Sequence, residues 1–326
     1  MSDDAVACVA GPLAFIGTGI MGGWMARRLL QAGQVVRVWN RTAGKADALA
    51  DAGAQVCTSP AECVRGATVV FCMLSSGPVC DGVLLGEQGA IAAMSPGSTL
   101  IVMSSIPVET ARAQAEAADR RGVGYLDAPV SGGESGARDG RLVIMAGGAA
   151  DTFDRCCGLL MAMGRPTHVG PAGAGQLAKL VNQMMVATTI ASVAEALLLA
   201  ERGGADPARV REALLGGFAD STVLRQHGLR MIASDFQPGG PAKYQLKDTR
   251  TAVGLAAALG LSLPVLGVVD GLFADLVTRG HGDLDHSALM IEMRARQAGS
   301  GASPPRLNAP HPAPAPAASP APRPPG

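Results

Sequence analysis

The most constraining feature of this chain is an apolar run, LAFIG, that passes directly into Gly17-Thr18-Gly19-Ile20-Met21-Gly22 and on to the helix-forming stretch MARRLLQAG. A strand that ends in G-x-G-x-x-G and opens a helix presents unpaired N–H groups and a positive dipole end to a phosphate. Gly17 allows the tight turn, Gly19 lets the backbone approach a pyrophosphate, and Gly22 lets helix and strand pack closely. A dinucleotide is therefore the expected ligand of residues 17–22, Thr18, Ile20 and Met21 included.

The rest of the first half fits that unit. LAFIG, VVRVWN, TVVFCML, TLIVMSS, VGYLDAPV and RLVIMAGG read as strands, and Ala-rich helical stretches separate them. Such alternation predicts a parallel, doubly wound sheet, with runs such as Val69–Leu74 covered on both faces. After Gly170 the strand signals end, and Ala- and Leu-rich segments punctuated by glycine pairs predict helices alone. The expected fold is thus α/β, an N-terminal Rossmann-type sheet plus an all-α C-terminal domain. The expected divisions are an extension over 1–11, a dinucleotide domain over 12–172, a helical domain over 173–297 and a tail over 298–326. Ten of the 22 prolines fall within Pro304–Pro325, so that tail reads as disordered or polyproline.

The second strand ends in Trp39-Asn40-Arg41-Thr42, where an acidic residue would bind the ribose diol of NAD. No carboxylate stands there. Arg41 can pair with a 2′-phosphate, with Asn40 and Thr42 as neutral hydrogen-bonding neighbours, so NADP(H) is favoured over NAD(H).

Charge narrows the partners. Lys plus Arg and Asp plus Glu each number 27, so the chain lacks the basic excess that nucleic acid or anionic membrane binding needs. The seven cysteines (8, 57, 63, 72, 80, 156, 157) contain no C-x-x-C pair and read as reduced thiols of a cytoplasmic protein. The N-terminal MSDDAVACVAG is acidic and has no long apolar stretch, so no targeting signal is expected there. Met184–Ala200 is apolar apart from small hydroxyl residues and Glu195, and reads as a buried helix rather than a membrane span.

Three segments carry reactive groups. Asp127-Ala128-Pro129-Val130-Ser131-Gly132-Gly133 puts a hydroxyl and two side-chain-free amides directly after a strand, where open sheets hold ligands and a carboxylate can be cradled. Asp127 is expected to order that loop rather than act as an acid. Gly173-Ala174-Gly175-Gln176-Leu177-Ala178-Lys179 opens the long helix, and Asn182 and Gln183 share the Lys179 face. Gln245-Leu246-Lys247-Asp248 supplies a second lysine.

With these motifs the chain resembles the β-hydroxyacid dehydrogenases, whose members include 3-hydroxyisobutyrate dehydrogenases, 2-hydroxy-3-oxopropionate (tartronate semialdehyde) reductases and glyoxylate/succinic semialdehyde reductases. The resemblance spans Leu13–Gln297 and rests on FIGTGIMG, DAPVSGGESGARDGRLVIMAGG, GAGQLAKLVNQ, the LKD segment and GHGDLDHSAL. It implies NAD(P)-dependent interconversion of a short 3-hydroxy acid and its semialdehyde, with Lys179 as the catalytic acid and base. It further implies substrate contacts from Ser131, Gly132, Gly133, Asn182 and Lys247, and cofactor contacts from Leu74, Ser75, Ser105 and Lys247. Physical reasoning agrees for Lys179, because reduction of an aldehyde builds charge on an oxygen that a cation stabilises and protonates. A free lysine at about 10.4 releases protons too reluctantly near neutrality, so burial and a nearby Lys247 are expected to lower it.

Two departures bear on the substrate. Asn182-Gln183 replaces the Asn-Asn of many members and is similar to the tartronate semialdehyde reductases, whereas Asn40-Arg41-Thr42 is similar to the NADPH-dependent glyoxylate/succinic semialdehyde group. Lys247-Asp248-Thr249 replaces a common Lys-Asp-Leu. Alternatives on the same scaffold are an imine reductase, which typically lacks the lysine, and a non-catalytic dinucleotide-binding module. Glu195 lies 16 residues beyond Lys179, about 24 Å along an ideal helix, and is expected to pack rather than partner the lysine. His168, His227, His281 and His286 show no metal-ligand spacing, so no metal and no histidine catalyst are expected. The expected partners are a small anionic substrate and further copies of the chain, as a homodimer or homotetramer.

Overall fold

A computed structural model describes residues 11–299. Residues 1–10, including Cys8, and the expected tail from residue 300 onward lie outside the described residues.

Nine strands form one sheet: β1 (Leu13–Ile16), β2 (Val36–Trp39), β3 (Gln55–Val56), β4 (Val69–Cys72), β5 (Thr99–Val102), β6 (Gly124–Asp127), β7 (Val130–Ser131), β8 (Leu142–Gly148) and β9 (Gly164–Gly170). Interleaved are α1 (Ile20–Gln31), α2 (Ala43–Asp47), α3 (Pro60–Val64), α4 (Gly77–Leu84), α5 (Ala90–Ala93), α6 (Val108–Asp119), α7 (Gly133–Asp139) and α8 (Ala150–Met161). Strands β3-β2-β1-β4-β5-β6 pair in parallel, the order of a dinucleotide-binding sheet. The expectation of a parallel sheet holds for these six and fails beyond them: β8 runs antiparallel to β6 and β7, and β9 pairs parallel to β8. VGYLDAPV divides into β6 and β7 at Ala128-Pro129, where proline offers no N–H to the ladder.

Both faces of the parallel strands are buried. Leu13 and Phe15 face α1 and α8 with Phe71 and Leu160, while Ala14 and Ile16 face the opposite layer with Val70, Leu84 and Leu100. Phe15 and Phe71 lie side by side on β1 and β4, ring centroids 5.8 Å apart. This two-sided burial explains why these strands are continuous apolar runs. The strands absent from the sequence reading, β3 and β9, are edge strands; β9 alternates half-buried with exposed residues and includes Pro166.

Beyond Gly170 only helices follow: α9 (Ala174–Arg202), α10 (Pro207–Leu214), α11 (Thr222–Ala233), α12 (Ala242–Ala258), α13 (Pro264–Leu276) and α14 (Leu289–Gly299), with short single turns between some of them. With 29 residues, α9 is about 43 Å long and forms the spine of this half. Ala187, Ile190, Ala194 and Leu197 pack on Leu224, Leu246, Phe273 and Leu289 from four other helices. Among the described residues it is the helix long and apolar enough to cross a membrane by length and composition. The expectation that it is buried all round is not met within one chain, since Met185 is 62% and Leu199 76% exposed.

The start of α9 is fastened to the sheet. At the end of β6, the buried Asp127 carboxylate accepts from the Gly173 N–H at 2.7 Å and the Gln176 N–H at 2.8 Å. Gln176 in turn donates to Ser104 O at 2.9 Å and accepts from the Ile106 N–H at 3.0 Å. Helix and sheet approach so closely that a Cβ on Gly175 would stand 2.3 Å from Asp127 O.

Candidate active site

The glycine-rich loop leaves β1 at the point where strand order reverses, between β1 and β4, which is where open α/β sheets bind ligands. Gly17 has φ +96°, and a Cβ there would lie 2.3 Å from Met73 O; one on Gly22 would lie 1.9 Å from Gly17 O. No other residue fits either place. At Gly19, by contrast, nothing lies within 4 Å of where a Cβ would be, so that backbone is open to a ligand. Asn40 shapes the loop: its Oδ1 accepts from the Thr18 N–H at 3.1 Å and its Nδ2 donates to Thr42 O at 2.9 Å. The Thr18 hydroxyl is buried without a partner.

Arg41 and Thr42 are exposed beyond β2, and Thr42 precedes α2. A cleft of about 430 Å³ opens beside the loop, lined by Thr18, Gly19, Ile20, Trp24, Arg27 and Lys45. The sequence reading missed Arg27 and Lys45; the four-residue spacing from Arg41 to Lys45 was the available signal. An open backbone at a helix N-terminus, an unpartnered hydroxyl and these cations fit the phosphates of a dinucleotide. Leu74 and Ser75 follow β4, and Leu74 Cδ2 would lie 2.8 Å from a Cβ on Gly17. The Leu74 N–H donates to Ser104 Oγ at 2.7 Å, so buried Ser104 orders this loop while Ser105 beside it is exposed.

In the helical half, α9 and α12 bring Lys179, Asn182, Gln183, Lys247 and Asp248 together. Lys179 Nζ donates to Gln183 Oε1 at 3.1 Å, and Asn182 Nδ2 donates to the same oxygen at 3.0 Å. Gln183 Nε2 donates to Asp248 Oδ2 at 2.8 Å, and Lys247 Nζ pairs with Asp248 Oδ1 at 2.9 Å. Burial lowers the Lys179 pKa, the Asp248 carboxylate opposes that shift, and Lys247 adds to it. Sequence reasoning put Gln183 on the Lys179 face and Asp248 beside Lys247 but assigned neither a role in the site. Thr249, which departs from the common motif, turns its hydroxyl to Asp270 at 2.7 Å and ties α12 to α13.

Ser131 ends β7, and Gly132 and Gly133, with φ of +133° and +62°, carry the chain into α7. The Ser131 hydroxyl makes no hydrogen bond to another described residue. Trp24 Nε1 donates to Glu134 Oε1 at 3.2 Å, linking α1 to α7. Burial pushes the Asp127 carboxyl up to about 6 against the pull of its backbone N–H bonds.

Glu195 is exposed on α9, in a groove against α13. The histidines are not all scattered, as the sequence suggested: ligating atoms of His227, Asp285 and His286 lie within 4.8 Å of one another. Asp285 is already committed. It accepts from the N–H groups of Gly239, Gly240 and Ser287 and from the Ser287 hydroxyl, and it pairs with Arg230 at 2.7 Å. The guanidinium sits where a metal's charge would be needed, so this cluster reads as a structural tie.

Residues 12–173 match the family described as the NAD-binding domain of 6-phosphogluconate dehydrogenase, and residues 173–293 match that described as the NAD-binding domain of NADP-dependent 3-hydroxyisobutyrate dehydrogenase. The chain is 44% identical over 281 residues to 2-hydroxy-3-oxopropionate reductase of Escherichia coli (strain K12), covering 85% of this chain and 95% of the relative. It is 32% identical over 287 residues to the chloroplastic glyoxylate/succinic semialdehyde reductase 2 of Arabidopsis thaliana, covering 88% and 80%. The solved structure of Mycobacterium tuberculosis 3-hydroxyisobutyrate dehydrogenase with L-serine superposes with a TM-score of 0.80 at 32% identity, covering 88% of this chain and 100% of that one.

Proposed function

Because this chain belongs to the β-hydroxyacid dehydrogenase family, a family of NAD(P)-dependent oxidoreductases, we propose that it reduces a short carboxylic semialdehyde to the 3-hydroxy acid, with Lys179 as the proton donor. Tartronate semialdehyde is the first substrate to test, on the strength of the reductase relative and of Asn182-Gln183. The observation that carries this reading is the Lys179 amine: half-buried, lowered in pKa by that burial, and using one of its three N–H donors on Gln183. The other two remain for a substrate oxygen.

NADP(H), when bound, supplies the hydride. As charge grows on the carbonyl oxygen, Lys179 Nζ stabilises it and passes it a proton, ending as a neutral amine; in oxidation the neutral amine takes the proton back. The Ser131 hydroxyl, the Gly132 and Gly133 amides, Asn182 and Lys247 are the groups proposed to hold the substrate's carboxylate. Steady-state assays of tartronate, methylmalonate and succinic semialdehydes and glyoxylate, each with NADPH and NADH, test the reading. A higher kcat/KM on succinic semialdehyde or glyoxylate would favour the second reading, which the Asn40-Arg41-Thr42 segment supports. No turnover on any of the four would overturn both.

Preference for NADP(H) rests on Arg41, aided by Lys45 and Arg27. Arg41→Ala is expected to reduce the NADPH-to-NADH ratio of kcat/KM by about tenfold or more, the loss of one charge-assisted phosphate contact. An unchanged ratio refutes the role.

We further propose a homodimer or homotetramer, since Met185, Leu199, Val265 and Val268 leave apolar surface exposed along α9 and α13. Sedimentation equilibrium showing only monomer would count against it. The six described cysteines are free, which suits the reducing cytoplasm; recovery of the native protein from an oxidising compartment would contradict that placement.

A further inference from the structure

Gln183 has an amide with two unlike ends, and the structure uses both. Its oxygen accepts from Lys179 and Asn182, and its nitrogen donates to Asp248. Turned by 180°, the amide would set donor against donor at Lys179 and acceptor against acceptor at Asp248. Ionised Asp248 can only accept, so it dictates which end faces the lysine.

The carboxylate is itself fixed. Its second oxygen is held by Lys247, and its side chain is only 13% exposed. On either side of it along α12, Gln245 Nε2 donates to Gln183 O at 3.1 Å, and the Thr249 hydroxyl donates toward α13. A carboxylate, an amide and an ammonium are thereby aligned across two helices.

We propose that Asp248 is a positioning residue for the proton-transfer step: through the Gln183 amide it presents an acceptor oxygen to Lys179 and holds Nζ in one place. This rests on the reading of Lys179 as the acid. Asp248 also favours the protonated lysine by charge, opposing burial and Lys247. Among the described residues the charged groups acting on Lys179 are these two from α12; on the adjoining elements, Asp127 of β6 holds the start of α9 and Arg112 of α6 packs on Gly173.

Removing the Asp248 charge should lower the lysine's proton affinity, so both directions of reaction respond with a defined sign. Reduction needs the protonated amine and is lost as pH rises through its pKa; oxidation needs the neutral amine and is gained there. Asp248→Asn is therefore expected to move both limbs to lower pH by about one unit and to cut kcat/KM for reduction about tenfold or more at mildly alkaline pH.

The decisive experiment measures pH profiles in both directions for Asp248→Asn, Gln183→Leu and the double variant, with NADPH binding as the check on folding. If Asp248 acts through the amide, then at a pH below both limbs, where the lysine is fully protonated, the double variant is no worse in reduction than Gln183→Leu alone. Unshifted limbs with an effect confined to KM would make Asp248 a substrate contact and overturn the proposal, as would additive losses. If Asp248→Asn does not fold, Gln183→Leu alone must lower kcat for reduction without a matching rise in KM, and failure to do so also overturns it. A Lys179→Ala enzyme that stays active sinks the underlying reading instead, so the two failures are distinguishable.

Discussion

Lys179→Ala is expected to lower kcat by about three orders of magnitude or more while NADPH still binds, because the lysine lies on α9 and the glycine-rich loop between β1 and α1 retains all its contacts. Loss of the ammonium removes both the charge that stabilises the developing oxyanion and the proton that quenches it. Lys179→Arg separates the two roles: a guanidinium keeps the charge but does not release a proton at accessible pH. Recovery of oxyanion stabilisation without proton transfer should leave the Lys179→Arg enzyme only slightly better than the alanine variant. Single-turnover kinetics with fluorescence titration of NADPH reads chemistry and binding separately. Near-normal turnover in the alanine variant would remove Lys179 from the mechanism.

Asp127→Ala is expected to be the most damaging change to the framework. The carboxylate is buried and answers the Gly173 and Gln176 N–H groups, two of the orphan donors at the start of α9. Leaving both without an acceptor costs about 2–4 kcal/mol at mildly acidic pH, a fall in Tm of about 5–10 °C. The pH dependence has a definite sign. Burial holds the native carboxyl at about 6, so its protonated form is favoured in the folded state. That contribution is complete below the unfolded value of about 4 and is lost as pH rises through 6. The gap in Tm between wild type and variant should therefore narrow across that range. Equal stabilities at pH 4 would refute the anchoring role.

Much of this was legible in the sequence because it is local. The turn at Gly17 and the crowding at Gly22 need glycine whatever the rest of the chain does, and two-sided burial writes itself into strands as unbroken apolar runs. The face shared by Lys179, Asn182 and Gln183 follows from helical spacing alone. What escaped the reading depends on pairing between distant segments. Nothing in Arg165-Pro166-Thr167-His168 signals a strand; β8 recruits it. The link from Gln183 to Asp248 joins residues 65 apart, and His227 meets His286 only because α11 packs beside the turn that carries Asp285. The antiparallel return of β8 likewise cannot be read from a run of apolar residues, which has no direction.

The fastening of α9 to the sheet has a mechanical consequence. Gly170–Gly173 is the short link between sheet and helix, where a hinge between the two halves would have to lie. Yet the bonds from Asp127 and Gln176 bridge that link, and they lie upstream of Lys179. A swing of the helical half about residues 170–173 would have to break them together. The lysine therefore belongs, in rigid-body terms, to the sheet and its loops, not to the bundle that continues its own helix. Relative motion of the two halves then falls on α9 beyond its second turn or on α12, and either would carry Asp248 relative to the backbone of Lys179.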